Sequence, residues 1–288
     1  MNYLKIALFV SILNFSGITC AQNFNPPFFV FEDGLWNTKS DTPKYWSDLV
    51  KNAGFDGVEL IGLDKVEAMI PAHKINNLKL FTLYIQIDID KEQPYDIRLK
   101  DYIKQLKNTD LHLWVHIHSE KYSSSDSNGD AKCVEIISEL ADYAVDYGVK
   151  IAFYPHANFW VEKVDDGVRL AKKINKPNVG TVFNLCHFLK KDDPEKLAQK
   201  LKNAMPYLFL VSINGADKGD TNNMNWDSLI QPLGNGDYDV LNVLTILKEL
   251  GYKNPIGLQC YNIKGEPEDF LPESVRAWEK YLRQLNNI

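Results

Sequence analysis

After residue 27 the chain alternates between two hydrophobic patterns. Short runs rich in β-branched and aromatic residues are followed by longer segments whose apolar positions recur at helical spacing. The short runs are FFVF (28–31), FDGVELIG (55–62), LKLFTLYIQIDI (78–89), LHLWVHIH (111–118), VKIAFYPH (149–156), NVGTVFNL (178–185), YLFLVSIN (207–214) and PIGLQCYN (255–262). The helical segments cover about 42–53, 64–77, 96–107, 131–147, 161–174, 194–204, 240–250 and 272–285. Pro43 stands in the first turn of the first helix, and Gly148 directly follows the fourth, as helix starts and stops favour. The polar stretch SSSDSNGD (123–130) reads as a long surface loop after strand four.

Eight strand–helix units imply parallel βαβ crossovers, and eight in succession predict an α/β fold, a (β/α)8 TIM barrel. An open doubly wound sheet would carry a Gly-rich phosphate turn after strand one, and FEDGLWN (31–37) is not one. Catalytic groups of a TIM barrel gather at the C-terminal ends of its strands. Side chains alternate along a strand, so inward positions recur every second residue. In strand four Leu113, Val115 and Ile117 face the helical shell, leaving His112, Trp114, His116 and His118 for the barrel. In strand three Phe81, Leu83, Ile85 and Ile87 face the shell, with Thr82, Tyr84, Gln86 and Asp88 inward. The same alternation turns Glu59, Tyr154, His156, Asn184, Ser212, Asn214, Gln259 and Tyr261 inward, with His187 just beyond strand six. His112 lies early in its strand and reads as a satisfied core histidine, and Trp114 reads as packing volume. His118, His156 and His187 end their strands and would converge on one rim.

Composition narrows the class. The 288 residues are 45% hydrophobic and 24% charged, with a net charge of −6. Lys and Arg form no basic stripe, which speaks against nucleic acid as a partner. No segment after the N-terminus is long and apolar enough for a membrane helix. Residues 1–21 have the pattern of a secretory signal peptide: Lys5, the apolar run Ile6 to Leu13, then Thr19-Cys20-Ala21 before Gln22. The barrel then occupies 22–288 as a single domain, exported to the periplasm or secreted. Lipidation of Cys20 ranks second, because Thr19 fits poorly as the small residue that lipoprotein processing prefers. Cys133, Cys186 and Cys260 are too widely spaced for a disulfide framework or a zinc ribbon and read as buried free thiols.

Several stretches together resemble one family. NAGFDGVEL (52–60), LADYAVDYGVKIAFYPH (140–156), NVGTVFNLCH (178–187), LVSINGADKGD (210–220) and PLGNGDYDVLNVLTILKELGYKNPIGLQ (232–259) are similar to the xylose isomerase-like TIM barrel superfamily of sugar phosphate isomerase/epimerases. The resemblance implies a divalent metal on a Glu of strand five, an Asp of strand six, a His of strand seven and a Glu of strand eight. Such a metal polarises a sugar carbonyl. Here those positions carry Tyr154, Asn184, Ser212 and Gln259, so no metal is expected at the usual site. A relocated Zn, Mn or Co on the three rim histidines and Glu59 is the variant. The partner implied is a small-molecule sugar, and a homo-oligomer stays open. The activity implied is proton transfer next to a carbonyl: isomerisation, epimerisation or β-elimination from a keto-sugar. His156, His187, His118 and Glu59 are the candidates to move the proton. Tyr154, Asn184, Ser212, Asn214, Gln259, His116 and Asp88 are the candidates to bind the sugar. The alternative is a non-catalytic carbohydrate-binding barrel that has lost the family metal site.

Overall fold

A computed structural model describes residues 23–287. The expected signal peptide, 1–21, and Cys20 lie outside the described residues. Eight parallel strands close into one barrel in sequence order, each paired with its neighbours and the eighth with the first. They are β1 Phe28–Val30, β2 Gly57–Ile61, β3 Lys79–Asp88, β4 His112–His118, β5 Lys150–Phe153, β6 Val179–Asn184, β7 Leu208–Ile213 and β8 Ile256–Leu258. The outer helices are α1 Pro43–Ala53, α2 Val66–Ile75, α3 Leu99–Gln105, α4 Asp130–Val145, α5 Val164–Ile174, α6 Leu185–Lys191, α7 Leu197–Ala204, α8 Trp226–Leu229, α9 Val240–Glu249 and α10 Pro267–Asn286. The (β/α)8 TIM barrel read from the sequence is the fold.

Two apolar layers result from the alternation. The strand faces turned outward, including Leu113, Val115 and Ile117, pack with the helices in one large core. A separate aromatic plug fills the barrel: Phe29, Phe31, Phe81, Trp114, Ala152, Tyr154, Val182 and Leu210. Trp114 is fully buried, with its ring centroid 5.0 Å from that of Phe31 and 5.1 Å from that of Tyr154. It is packing volume, as its sequence context predicted. Gly257 is what lets β8 pass this plug. A Cβ there would lie 2.6 Å from the Phe31 ring and 2.7 Å from the Phe29 ring.

Four departures from the expected elements matter for the site. Phe81 points into the barrel rather than to the shell, because it is the extra residue of a bulge where Val58 pairs with Leu80 and Glu59 with Thr82. Strands β5 and β8 stop at Phe153 and Leu258, so Tyr154, His156, Gln259 and Tyr261 stand on the turns just beyond them. Pro155 has no N–H with which to extend the ladder. Helix α6 begins directly after β6, capped by the Asn184 side chain, and carries His187 in its first turn instead of on a strand rim. The last helix starts at Pro267 rather than Pro272. The loop at 123–130 is also tied down. The Trp160 indole donates to the Asp126 carbonyl at 3.0 Å, and α4 begins at Asp130.

Candidate active site

A cavity of about 550 Å3 opens at the C-terminal ends of the strands. Its walls come from different strands. Asp33 and Glu59 belong to the β1–β2 side, and Tyr84, Gln86, His116 and His118 to β3 and β4. His156, Phe159 and His187 follow β5 and β6, and Gln259 and Tyr261 follow β8. In a ring of eight, the carboxyl side lies across the barrel from His156 and His187.

The histidines do not gather around one point. Nδ1 of His116 lies 2.8 Å from Nε2 of His118, so these two rings share a hydrogen bond. His156 and His187 form the second pair, with centroids 4.1 Å apart. Phe159 packs between the pairs, 4.0 Å from His118 and 3.8 Å from His156. Ala157 fixes the second pair's protons. Its carbonyl can only accept, so His156 carries its proton on Nδ1, which donates at 2.9 Å. Its N–H can only donate, so His187 accepts on Nδ1 at 3.3 Å and carries its proton on Nε2. One ring thus offers a basic nitrogen and the other an N–H.

Burial keeps these rings neutral. It pushes His116 down to about 3 and His156 to about 4, and holds His187 well below the usual range. The unfolded chain therefore binds more protons than the folded one below about pH 6.5. Stability from these groups is complete above that pH and is lost as pH falls toward about 4. For His156 alone the loss between pH 7 and 4.5 is about 2–3 kcal/mol. Urea midpoints at the two pH values should show the drop, and His156→Asn should shrink it by that amount; an unchanged drop in the variant would contradict the assignment.

Of the four positions that the resemblance assigns to the family metal, Tyr154, Asn184 and Gln259 join in one neutral cluster. The Asn184 amide donates to the Tyr154 hydroxyl, and so does the Gln259 amide at 3.3 Å. Backbone donors fix the orientation of both amides. The His187 N–H donates to Asn184 Oδ1 at 3.3 Å, and the Tyr261 N–H to Gln259 Oε1 at 2.8 Å. The amide oxygens are thus engaged and the NH2 groups face the phenol. The Ser212 hydroxyl is buried without a partner. This set does not fit a divalent cation, which asks for anionic or free oxygen ligands. The relocated set is not assembled in this structure: Phe159 packs between the histidine pairs, and among the described residues no three His, Cys, Asp or Glu side chains are grouped to hold a metal ion.

Opposite lies a carboxyl pair, of which only Glu59 was legible in the sequence. Glu59 is 2% exposed and its Oε2 has no partner. Burial, then the neighbouring charges of Asp33 and Glu32, push it well above the usual carboxylate range. Asp33 Oδ1 is likewise buried and unpartnered, and burial raises Asp33 to about 7. Its position just after strand one was the signal that could have found it. Tyr84 stacks on His116 at 4.2 Å and meets Tyr154 edge-on at 5.0 Å.

Of the expected site residues, Glu59, His116, His118, Tyr154, His156, His187 and Gln259 share the cavity. Asp88, Asn184, Ser212 and Asn214 stand outside its lining. Asp88 pairs with Lys91 at 2.9 Å, and the Asn214 amide ties the Gly215 and Leu229 carbonyls. Asn184 supports the cavity from behind through Tyr154 and α6. His112 is buried as expected but not satisfied, since its Nδ1 has no partner. Cys133, Cys186 and Cys260 are free and buried.

The architecture recurs among known proteins. The IOLI protein with a bound zinc atom superposes with a TM-score of 0.67 at 17% identity, covering 91% of this chain and 98% of that one. L-ribulose 3-epimerase superposes at 0.71 and 12% identity, covering 91% and 96%. In sequence, an inosose isomerase of Bacillus licheniformis is 28% identical over 142 residues, 46% of this chain and 47% of the relative. An inosose isomerase of Halalkalibacterium halodurans is 21% identical over 239 residues, 75% of this chain and 83% of the relative. The chain thus matches about half the length of the first of these curated relatives. Residues 47–281 match the family described as xylose isomerase-like TIM barrel. The chain belongs to the xylose isomerase-like TIM barrel family.

Proposed function

We propose that the protein binds a free keto-sugar or keto-polyol and moves a proton on the carbon next to its carbonyl, which gives isomerisation or epimerisation. The observation that carries this reading is the unpartnered Glu59 carboxyl facing, across one cavity, two imidazoles whose protons Ala157 fixes. His156 Nε2 takes the α-proton, and the C–H electrons pass to the carbonyl oxygen. The Tyr154 hydroxyl meets the negative charge there. Both its lone pairs accept amide protons, so its own proton is free to donate. Burial holds Tyr154 well above the phenol range, so that proton is retained. The protonated Glu59 returns a proton to the enol carbon from the other side. A general acid and a general base on opposite walls suit inversion at that carbon. Loss of a leaving group from the same enolate would instead give β-elimination. Export, as the N-terminal sequence suggests, fits a free rather than a phosphorylated sugar.

The names of the relatives make an inosose the first compound to try, with D-fructose beside it. Incubation in D2O with 1H NMR detection should show loss of the α-proton signal well above the buffer rate. Saturable binding with no exchange would favour the non-catalytic carbohydrate-binding barrel, which the uncharged Tyr154 cluster also fits. Neither binding nor exchange would sink the sugar reading.

A further inference from the structure

Few large apolar side chains are exposed in the described residues, and two of them meet at the mouth of the cavity. Trp36 is 48% exposed and Tyr261 51%, with their rings edge to face at 6.4 Å. Both are half in water, and each is tied to the residues beneath it. The Trp36 indole N–H donates to Glu32 Oε1 at 3.4 Å, and Glu32 is itself 2% exposed and held by Lys65 and the Ile61 N–H. The Tyr261 N–H is bonded to Gln259 in the cavity floor. The Trp36 ring and the Tyr261 backbone are therefore held in place at the mouth of the cavity, above the deep site.

A polar cluster lies beside the pair. The Asn262 amide donates to Asp227 at 3.3 Å, and Lys264 lies 3.7 Å from the same carboxylate. Flat aromatic faces next to exposed carboxylate, amide and ammonium groups suit a ligand with an apolar face and a polar edge. A pyranose ring has that form: its axial C–H groups make the face, and its equatorial hydroxyls make the edge. The cavity's volume of about 550 Å3 falls within the ~300–1,000 Å3 of sites that bury a drug-sized ligand, and has room for more than one six-carbon ring.

We propose that Trp36 and Tyr261 form a second sugar-binding subsite, so that the substrate is a glycoside: a keto-sugar unit in the deep cavity with a second pyranose stacked at the mouth. This rests on the proposed sugar reading of the deep cavity and extends it to the size of the substrate. The rim pair makes no contact with the reacting carbon, so it sets affinity and choice of substrate rather than the chemical step.

Calorimetric titration with D-fructose, turanose and lactulose tests it, because each offers a ketose unit and the latter two add a pyranose. The full-length protein should bind at least one of the disaccharides about tenfold or more tighter than fructose. Trp36→Ala and Tyr261→Ala should each erase that advantage while leaving fructose affinity unchanged. Equal affinity for all three sugars, or an equal loss for fructose and disaccharide in the variants, would overturn the subsite and leave the deep-site reading intact. Failure to bind any of the three would overturn the subsite, while the deep-site reading stands or falls on the exchange experiment with the inosose and D-fructose. A rim that instead holds a second copy of the chain would show as a dimer converted to monomer by Trp36→Ala with disaccharide affinity unaltered, which also overturns the subsite.

Discussion

Glu59→Gln is expected to cut epimerisation at the α-carbon by about 10²–10⁴-fold, while the barrel becomes more stable at alkaline pH. The two effects share a cause. Glu59 is buried, with an oxygen that meets no partner, and burial holds its proton on well above the usual carboxylate range. The folded state therefore binds a proton that the unfolded state releases above about pH 4. Stability is full below that value and declines as pH rises toward the folded pKa. Glutamine keeps the shape and removes this loss, but it cannot return a proton to carbon. A residue kept only for packing would not give this combination. Rates of product epimer formation by NMR and urea midpoints at pH 6 and 9 read the two effects separately. Epimerisation at the native rate in the variant would remove Glu59 from the mechanism. Asp33→Asn serves as the companion, because the Asp33 charge is one of the causes that raise Glu59. It should lower the pH at which Glu59 loses its proton, and with it the alkaline limb of the rate profile.

Tyr154→Phe should be costly in both stability and rate. The phenol oxygen receives the amide protons of Asn184 and Gln259, and backbone N–H groups prevent either amide from turning round. Phenylalanine leaves two buried NH2 groups without an acceptor, at about 1–3 kcal/mol each. It also removes the donor aimed at the developing oxyanion. Loss of one such donor costs about 10²–10³ in turnover. Because that donor matters most in the transition state, kcat should fall far more than KM rises. A Tyr154→Phe protein with native stability and full exchange would reduce Tyr154 to part of the aromatic plug.

Much of this was legible along the chain. The period-2 runs and their helical partners named all eight strands, and alternation correctly turned Glu59, Trp114, His116 and Tyr154 inward. Alternation failed at Phe81, where a bulge inserted a residue between β2 and β3 and reversed its direction. It could not show that β5 and β8 stop short, because that depends on ladder pairing between segments far apart in sequence. Helix α6 was hidden because its residues continue the apolar run of β6, and only the Asn184 cap marks the change. Asp33 was passed over because EDGL gives no periodic signal.

The sequence by itself determined the barrel and the family, and it carries the residue types, Tyr154, Asn184, Ser212 and Gln259, at the positions that the resemblance assigns to a metal. Tertiary structure alone decided which of them meet. Tyr154, Asn184 and Gln259 meet only because β5, β6 and β8 close into one ring, which lets a phenol just past one strand take amide protons from residues at the ends of two others. The same closure set Phe159 between the histidine pairs and brought Ala157 against both His156 and His187. Spacing along a chain records which way a side chain faces its own strand. Which proton it carries, and toward what, depends on neighbours that only the closed barrel supplies.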